Sequence, residues 1–165
     1  MLLKDIVNES TVTASLAATE KYAAITELID LAIKAGSLGA TLREHAIDAV
    51  FSRERSMSTG MEHGVALPHA SSNRIKKSVC ALGISREGID FECVDGKPAR
   101  IVVLVISPKR KIQQHVHTLA GISQLLHDDA FRESLVSASD EAALLARIRG
   151  EEAESFFGRL KRKLS

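Results

Sequence analysis

Ile101-Val102-Val103-Leu104-Val105-Ile106 is six consecutive apolar residues, five of them β-branched. A strand half-exposed to water would alternate apolar and polar side chains, because successive side chains point to opposite faces. A run with no polar position predicts a strand, over 100–106, that is buried on both faces. Something apolar must therefore cover each side of the sheet that contains it, and helices are the available cover.

Helical spacing supplies that cover. Ile25, Leu28, Ile29, Ala32 and Ile33 follow the i, i+3, i+4, i+7, i+8 pattern of one buried stripe. Thr19 is the predicted cap of this helix and Gly36 its stop. Thr41-Leu42-Arg43-Glu44 reads as a capping box that opens a second helix, with Leu42, Ala46, Ala49 and Val50 inward and an end near Arg53. Residues 53–63 are rich in Ser, Gly and charge, hence a loop. Strands are predicted at 64–67 and 78–84. A third helix is expected from Gln113 to Leu126, with Val116, Leu119, Ile122 and Leu126 on its buried face. Asp128 and Ser139 are predicted to start two further helices. The fold class is α/β: one domain over residues 1–150, a central sheet flanked by helices on both faces. Residues 151–165 form a basic, amphipathic C-terminal extension, in which Phe156, Phe157, Leu160 and Leu164 lie beside Arg159, Lys161, Arg162 and Lys163. That extension could dock on the domain, dock on a second copy of the chain to make a homodimer, or fray in solvent, with contact to a membrane surface or an acidic partner as the lesser alternative.

Charge and composition exclude several classes. The net charge is +1 and there is no Trp, with aromatics at 4%, so neither a basic field nor a stacking surface favours nucleic acid. Cys80 and Cys93 lack CxxC spacing, which argues against a zinc site or disulfide framework and for reduced thiols. No apolar stretch approaches the roughly 20 residues that span a bilayer. No long apolar leader follows Met1, so the expected location is cytoplasmic.

The candidate chemistry centres on Gly64-Val65-Ala66-Leu67-Pro68-His69-Ala70. Pro68 fixes its own φ near −65°, and Leu67 before it is pushed to an extended conformation. The pattern predicts a strand that ends by aiming one imidazole in a fixed direction. Neutral imidazole is abundant near pH 7, which makes His69 a candidate nucleophile. Upstream, Arg53-Glu54-Arg55 and Ser58-Thr59-Gly60 bring cations, hydroxyls and backbone N–H groups toward it, the furnishings of a phosphate site. Arg53 and Arg55 compete for the role of clamp. His115 and His117 compete for that of a second histidine. As an HxH pair they could suggest a metal, but the surrounding period is helical, and on a helix i and i+2 do not share a face.

Arg53-Glu54, Ser58-Thr59-Gly60, Gly64 to His69, Asp95-Gly96-Lys97-Pro98 and His115-Val116-His117-Thr118-Leu119-Ala120 together resemble the fructose–mannitol class of phosphotransferase-system enzyme IIA domains. That class includes the nitrogen-regulatory proteins. The likeness runs over roughly residues 2–149. It implies a mixed central sheet and a phosphotransferase that needs no metal or other cofactor. His69 would accept phosphate from the phosphocarrier protein HPr and pass it to an enzyme IIB partner. Alternatively, its phosphorylation would switch association with a regulatory target. The family register selects Arg53 as clamp and His115 as second histidine, with Ser58, Thr59 and Gly60 as phosphate-binding residues. Three positions depart from the family pattern: Glu62 replaces a frequent glycine, His63 a frequent asparagine, and Ala70 a frequent glycine. A carboxylate at 62 would repel an incoming phosphoryl group. A scaffold that is not phosphorylated is the alternative these departures raise.

Overall fold

The predicted apolar run forms the centre of the sheet. In the computed structural model, which describes residues 2–150 and Lys161, strand β5 (Ala99–Pro108) is buried along nearly its whole length. Its side chains divide by parity, as pleating requires. Val102, Leu104 and Ile106 enter one apolar cluster; Ile101, Val103 and Val105 enter the other. On the first face lie α2 (Lys21–Lys34) and α3 (Arg43–Ser56), which contribute Ile25, Leu28, Ile29, Ala46 and Val50. On the second lie α1 (Leu3–Ile6), α4 (Ile112–Leu125), α5 (Asp129–Val136) and α6 over 141–150. Leu3, Ile122, Leu135 and Leu144 represent them in that core.

The sheet is mixed. β5 pairs antiparallel with β4 (Val79–Ile89), whose outer edge carries the short parallel strand β1 (Val12–Thr13). The other edge of β5 receives β2 (Val65–Ala66) and β3 (His69–Ser72), both parallel. Val65 lies opposite Ile101 and His69 opposite Val105, so β2 and β3 keep one register across a break at Leu67-Pro68.

That break corrects the reading of His69: it opens a strand instead of ending one. Pro68 still anchors the segment, because its carbonyl accepts from the Val105 N–H (3.1 Å). Other boundaries also shift. Glu20, not Thr19, caps α2, its carboxylate accepting from the Tyr22 and Ala23 amides. No capping box forms at 41–44; the chain enters α3 through a 3₁₀ turn at Ala40–Leu42, and Glu44 pairs with Arg43. α3 continues past Arg53 to Ser56. Asp140, not Ser139, caps α6 through the Ala143 amide (2.8 Å). The buried face of α4 is His115, Thr118 and Ile122, while Val116 is 59% exposed. Gly36 ends α2 with φ +78, and Asp128 caps α5, both as predicted. The amphipathic stripe assigned to 151–165 lies outside the described residues, Lys161 excepted.

Candidate functional site

His69 is partly exposed at the head of β3, on the same face as Val65 and Leu67. Its Nδ1 lies 2.7 Å from the Leu67 carbonyl oxygen. A carbonyl only accepts, so Nδ1 carries the proton. Nε2 is left with its lone pair and no protein partner among the described residues. Burial pushes the His69 pKa below the ordinary 6.5, and the Arg53 charge acts in the same direction. The bond to Leu67 and the Glu54 charge oppose these effects without reversing them. The ring is therefore neutral near pH 7, as a nucleophile must be.

His115, in the first turn of α4, hangs over the same face. It is buried, and its ring centroid is 5.5 Å from that of His69 at an interplanar angle of 52°. Burial and the neighbouring His69 both lower its pKa. His117 is exposed and turned away, as helical geometry requires of i+2. The structure thus brings His69 and His115 together and leaves His117 out. Among the described residues, no group of three or more His, Cys, Asp or Glu is placed to hold a metal ion.

Arg53 sits in the last turn of α3, where a cation also answers the helix dipole. One guanidinium nitrogen donates to the Met57 carbonyl (2.8 Å), and the rest of the fork has no protein partner among the described residues. It is the arginine whose charge acts on His69; Arg55 is exposed. Arg53 and His69 therefore belong to one electrostatic neighbourhood.

The loop after α3 is built differently from the expectation. The Thr59 N–H and hydroxyl both donate to the Glu54 carboxylate. The Ser58 hydroxyl donates to the Phe91 carbonyl and accepts from the Gly60 N–H (3.0 Å). The donors expected to face phosphate are thus already engaged within the protein. Gly60 is required by crowding, because a Cβ there would lie 2.6 Å from the Phe91 oxygen and 2.9 Å from the Cys93 Cα. These three residues shape the loop beside His69.

Glu54 carries no role in the sequence reading, yet it organises this loop. Its side chain is fully buried and, besides Thr59, meets Lys21 Nζ at 3.2 Å. Burial opposes the charge on Lys21, but its bonds to Glu92 and Glu54 outweigh that and raise its pKa. Lys21 reaches Glu92 at 2.9 Å, joining α2, α3 and the segment after β4. A buried carboxylate at a helix C-terminus needs such partners, since desolvation and the dipole both disfavour it. The only sequence signal was its place between two arginines.

Glu62 and His63 face elsewhere. The Glu62 carboxylate lies 3.6 Å from His63 Nε2, and both line a cleft of about 350 Å³ with Val94, Ser123 and His127. His63 occupies the left-handed region (φ 62), and its N–H donates to Asp95 (2.9 Å). The carboxylate whose charge reaches His69 is Glu54, not Glu62. The Asp95-Gly96-Lys97 turn thus serves to hold the 62–64 loop.

Comparison with known proteins shows the family of the chain. Residues 5–150 match the family model described as phosphoenolpyruvate-dependent sugar phosphotransferase system, EIIA 2. The fructose-specific EIIA component of Haloferax volcanii is 36% identical over 122 residues, covering 73% of this chain and 77% of that protein. The fructose-specific EIIABC component of Bacillus subtilis is 30% identical over 145 residues, or 88% of this chain, which spans only 22% of that longer relative. The crystal structure of nitrogen regulatory protein IIA-Ntr from Neisseria meningitidis superposes with a TM-score of 0.79 at 25% identity, covering 88% of this chain and 98% of that one. Fold and matches together define a phosphotransferase component that works through a histidine. The chain belongs to the EIIA 2 family of the phosphoenolpyruvate-dependent sugar phosphotransferase system. Among its described residues no helix is long and apolar enough to cross a membrane.

Proposed function

We propose that His69 Nε2 is the phosphoryl acceptor, loaded by phospho-HPr and unloaded to an enzyme IIB partner. The single observation that carries this reading is the Nδ1–H bond to the Leu67 carbonyl, which commits one ring nitrogen and leaves the other as a lone pair. In the transfer, the donor's N–P bond breaks, its electron pair returns to the donor nitrogen, and an Nε2–P bond forms on His69. No proton need move. Such a loose transition state gains mostly from positioning and from charge stabilisation on the equatorial oxygens. Arg53 supplies the cation, with free guanidinium donors suited to two oxygens at once. His115, whose ring centroid is 5.5 Å from that of His69, supplies a ring donor. Ser58, Thr59 and Gly60 shape the approach. The reading assigns transfer to residues 1–150, with 151–165 as an extension, and locates the protein in the cytoplasm with its donors.

A regulatory use of the same phosphohistidine is the second reading, favoured by the likeness to the Neisseria IIA-Ntr structure. Phosphorylation would then add charge to a docking face and change its partners. To test the acceptor assignment, the protein is incubated with enzyme I, HPr and phosphoenolpyruvate, and the acid-labile phosphate is mapped. Label on His69, absent from His69→Ala, is expected. Label on His115 or His63 with His69 silent overturns the assignment. Onward transfer to IIB supports the uptake role, and a stable mark that alters partner binding supports the regulatory one.

A further inference from the structure

Ser107 has no part in the reaction as described so far, yet it touches the site. It lies on β5 two residues beyond Val105, so both side chains point to the face occupied by His69 and α4. The hydroxyl is buried, and its Oγ is 2.7 Å from His115 Nδ1. On its other side it accepts from the Ser78 hydroxyl at 3.5 Å. A serine has one proton to give and two lone pairs. The Ser78 oxygen is too distant to hold that proton firmly, and among the described residues His115 Nδ1 is the one close acceptor for it.

We infer that Ser107 is a positioning residue: its hydroxyl donates to His115 Nδ1 and holds that ring as the Nε2–H tautomer. The two rings are then fixed in complementary forms. His69 has its proton on Nδ1, tied to Leu67, and a lone pair on Nε2. His115 has its lone pair on Nδ1, tied to Ser107, and a proton on Nε2. Neither Nε2 has a protein partner among the described residues. A phosphoryl group on His69 Nε2 would thus meet a neutral donor, with no proton transfer needed to prepare it. Which nitrogen of a histidine carries the proton is set by the bond the other one makes, and here two different backings set opposite answers. Burial keeps His115 below its ordinary pKa, so near neutral pH the tautomer decides what the ring can do. This use of the donor rests on His69 being the acceptor; the tautomer itself does not.

The test is long-range ¹H–¹⁵N NMR of the histidine rings in the unphosphorylated full chain, with the rate of transfer from phospho-HPr measured alongside. In the wild type His115 should show a protonated Nε2 and a bare Nδ1, and His69 the reverse. Ser107→Ala should give His115 a mixture of tautomers and slow phosphorylation about tenfold, the effect of losing one ordered hydrogen bond. Ser107→Thr, which keeps the hydroxyl, should restore both. A wild-type His115 protonated on Nδ1 overturns the inference whatever the variants do. So does a Ser107→Ala protein with unchanged tautomer and rate. Phosphate mapped to a residue other than His69, with the tautomers as stated, would overturn the acceptor assignment while supporting the role of Ser107.

Discussion

Lys21→Met would leave the Glu54 carboxylate without its cation inside the protein. The Glu54 side chain is wholly buried and that of Lys21 is 10% exposed, so water cannot replace the ammonium group at 3.2 Å. Breaking a buried pair from one side costs about 3–5 kcal/mol. Glu54 keeps the Thr59 N–H and hydroxyl, which favours the lower end, about 3 kcal/mol. For a domain of this size that lowers Tm by about 6–12 °C. Glu54→Gln added to Lys21→Met removes the orphaned charge while keeping an acceptor for Thr59. The double variant should therefore recover at least about 1 kcal/mol relative to Lys21→Met, a coupling expected only between direct neighbours. Urea unfolding followed by circular dichroism measures each corner of the cycle, with m unchanged if only the native contact is altered. A Lys21→Met protein within about 1 kcal/mol of wild type, or a double variant no better than the single, would refute the claim that Lys21 neutralises a buried charge beside the site.

Three further outcomes follow from the same geometry. Arg53→Lys should slow phosphorylation about tenfold, since a point charge replaces the fork, while Arg55→Lys should leave it unchanged; the opposite pattern would move the clamp to Arg55. Glu62→Gln should change the rate by less than about twofold at low salt, because its exposed carboxylate faces His63 and not His69; a several-fold acceleration would return Glu62 to the site. Both His69 and His115 should titrate below 6.5 in NMR. The unfolded chain then binds protons first as pH falls through about 6.5, so these two rings lower stability from there toward their folded values and contribute nothing above it. A midpoint at or above 6.5 for either ring would contradict the burial account.

The sequence was most legible where a single segment carried its own physics. The 101–106 run declared a strand covered on both faces, and Gly64 to His69 declared a proline-anchored histidine. Legibility failed where a role depended on partners distant in sequence. Glu54 reads as one charge among several in a polar loop; only the approach of Lys21 and the turn-back of Thr59 make it a buried hub. Ser58, Thr59 and Gly60 read as phosphate donors because nothing local shows that Glu54 and the 91–93 backbone already engage that loop. β1 and β3 are too short for a period-2 pattern to register, and they exist because longer strands offer them an edge. Val116 reads as inward because helical spacing alone does not fix the phase of a stripe; in the fold His115 takes the buried position and Val116 faces outward.

The central claim is that the fold leaves His69 Nε2, and not Nδ1, free to carry phosphate. Phosphorylating ¹⁵N-histidine-labelled protein through HPr and assigning the ring nitrogens by NMR tests it most directly. The account predicts phosphorus coupling on Nε2 of His69, with Nδ1 still protonated and bonded to the Leu67 carbonyl. Phosphate on Nδ1 would mean that bond is broken in the transfer, and would contradict it.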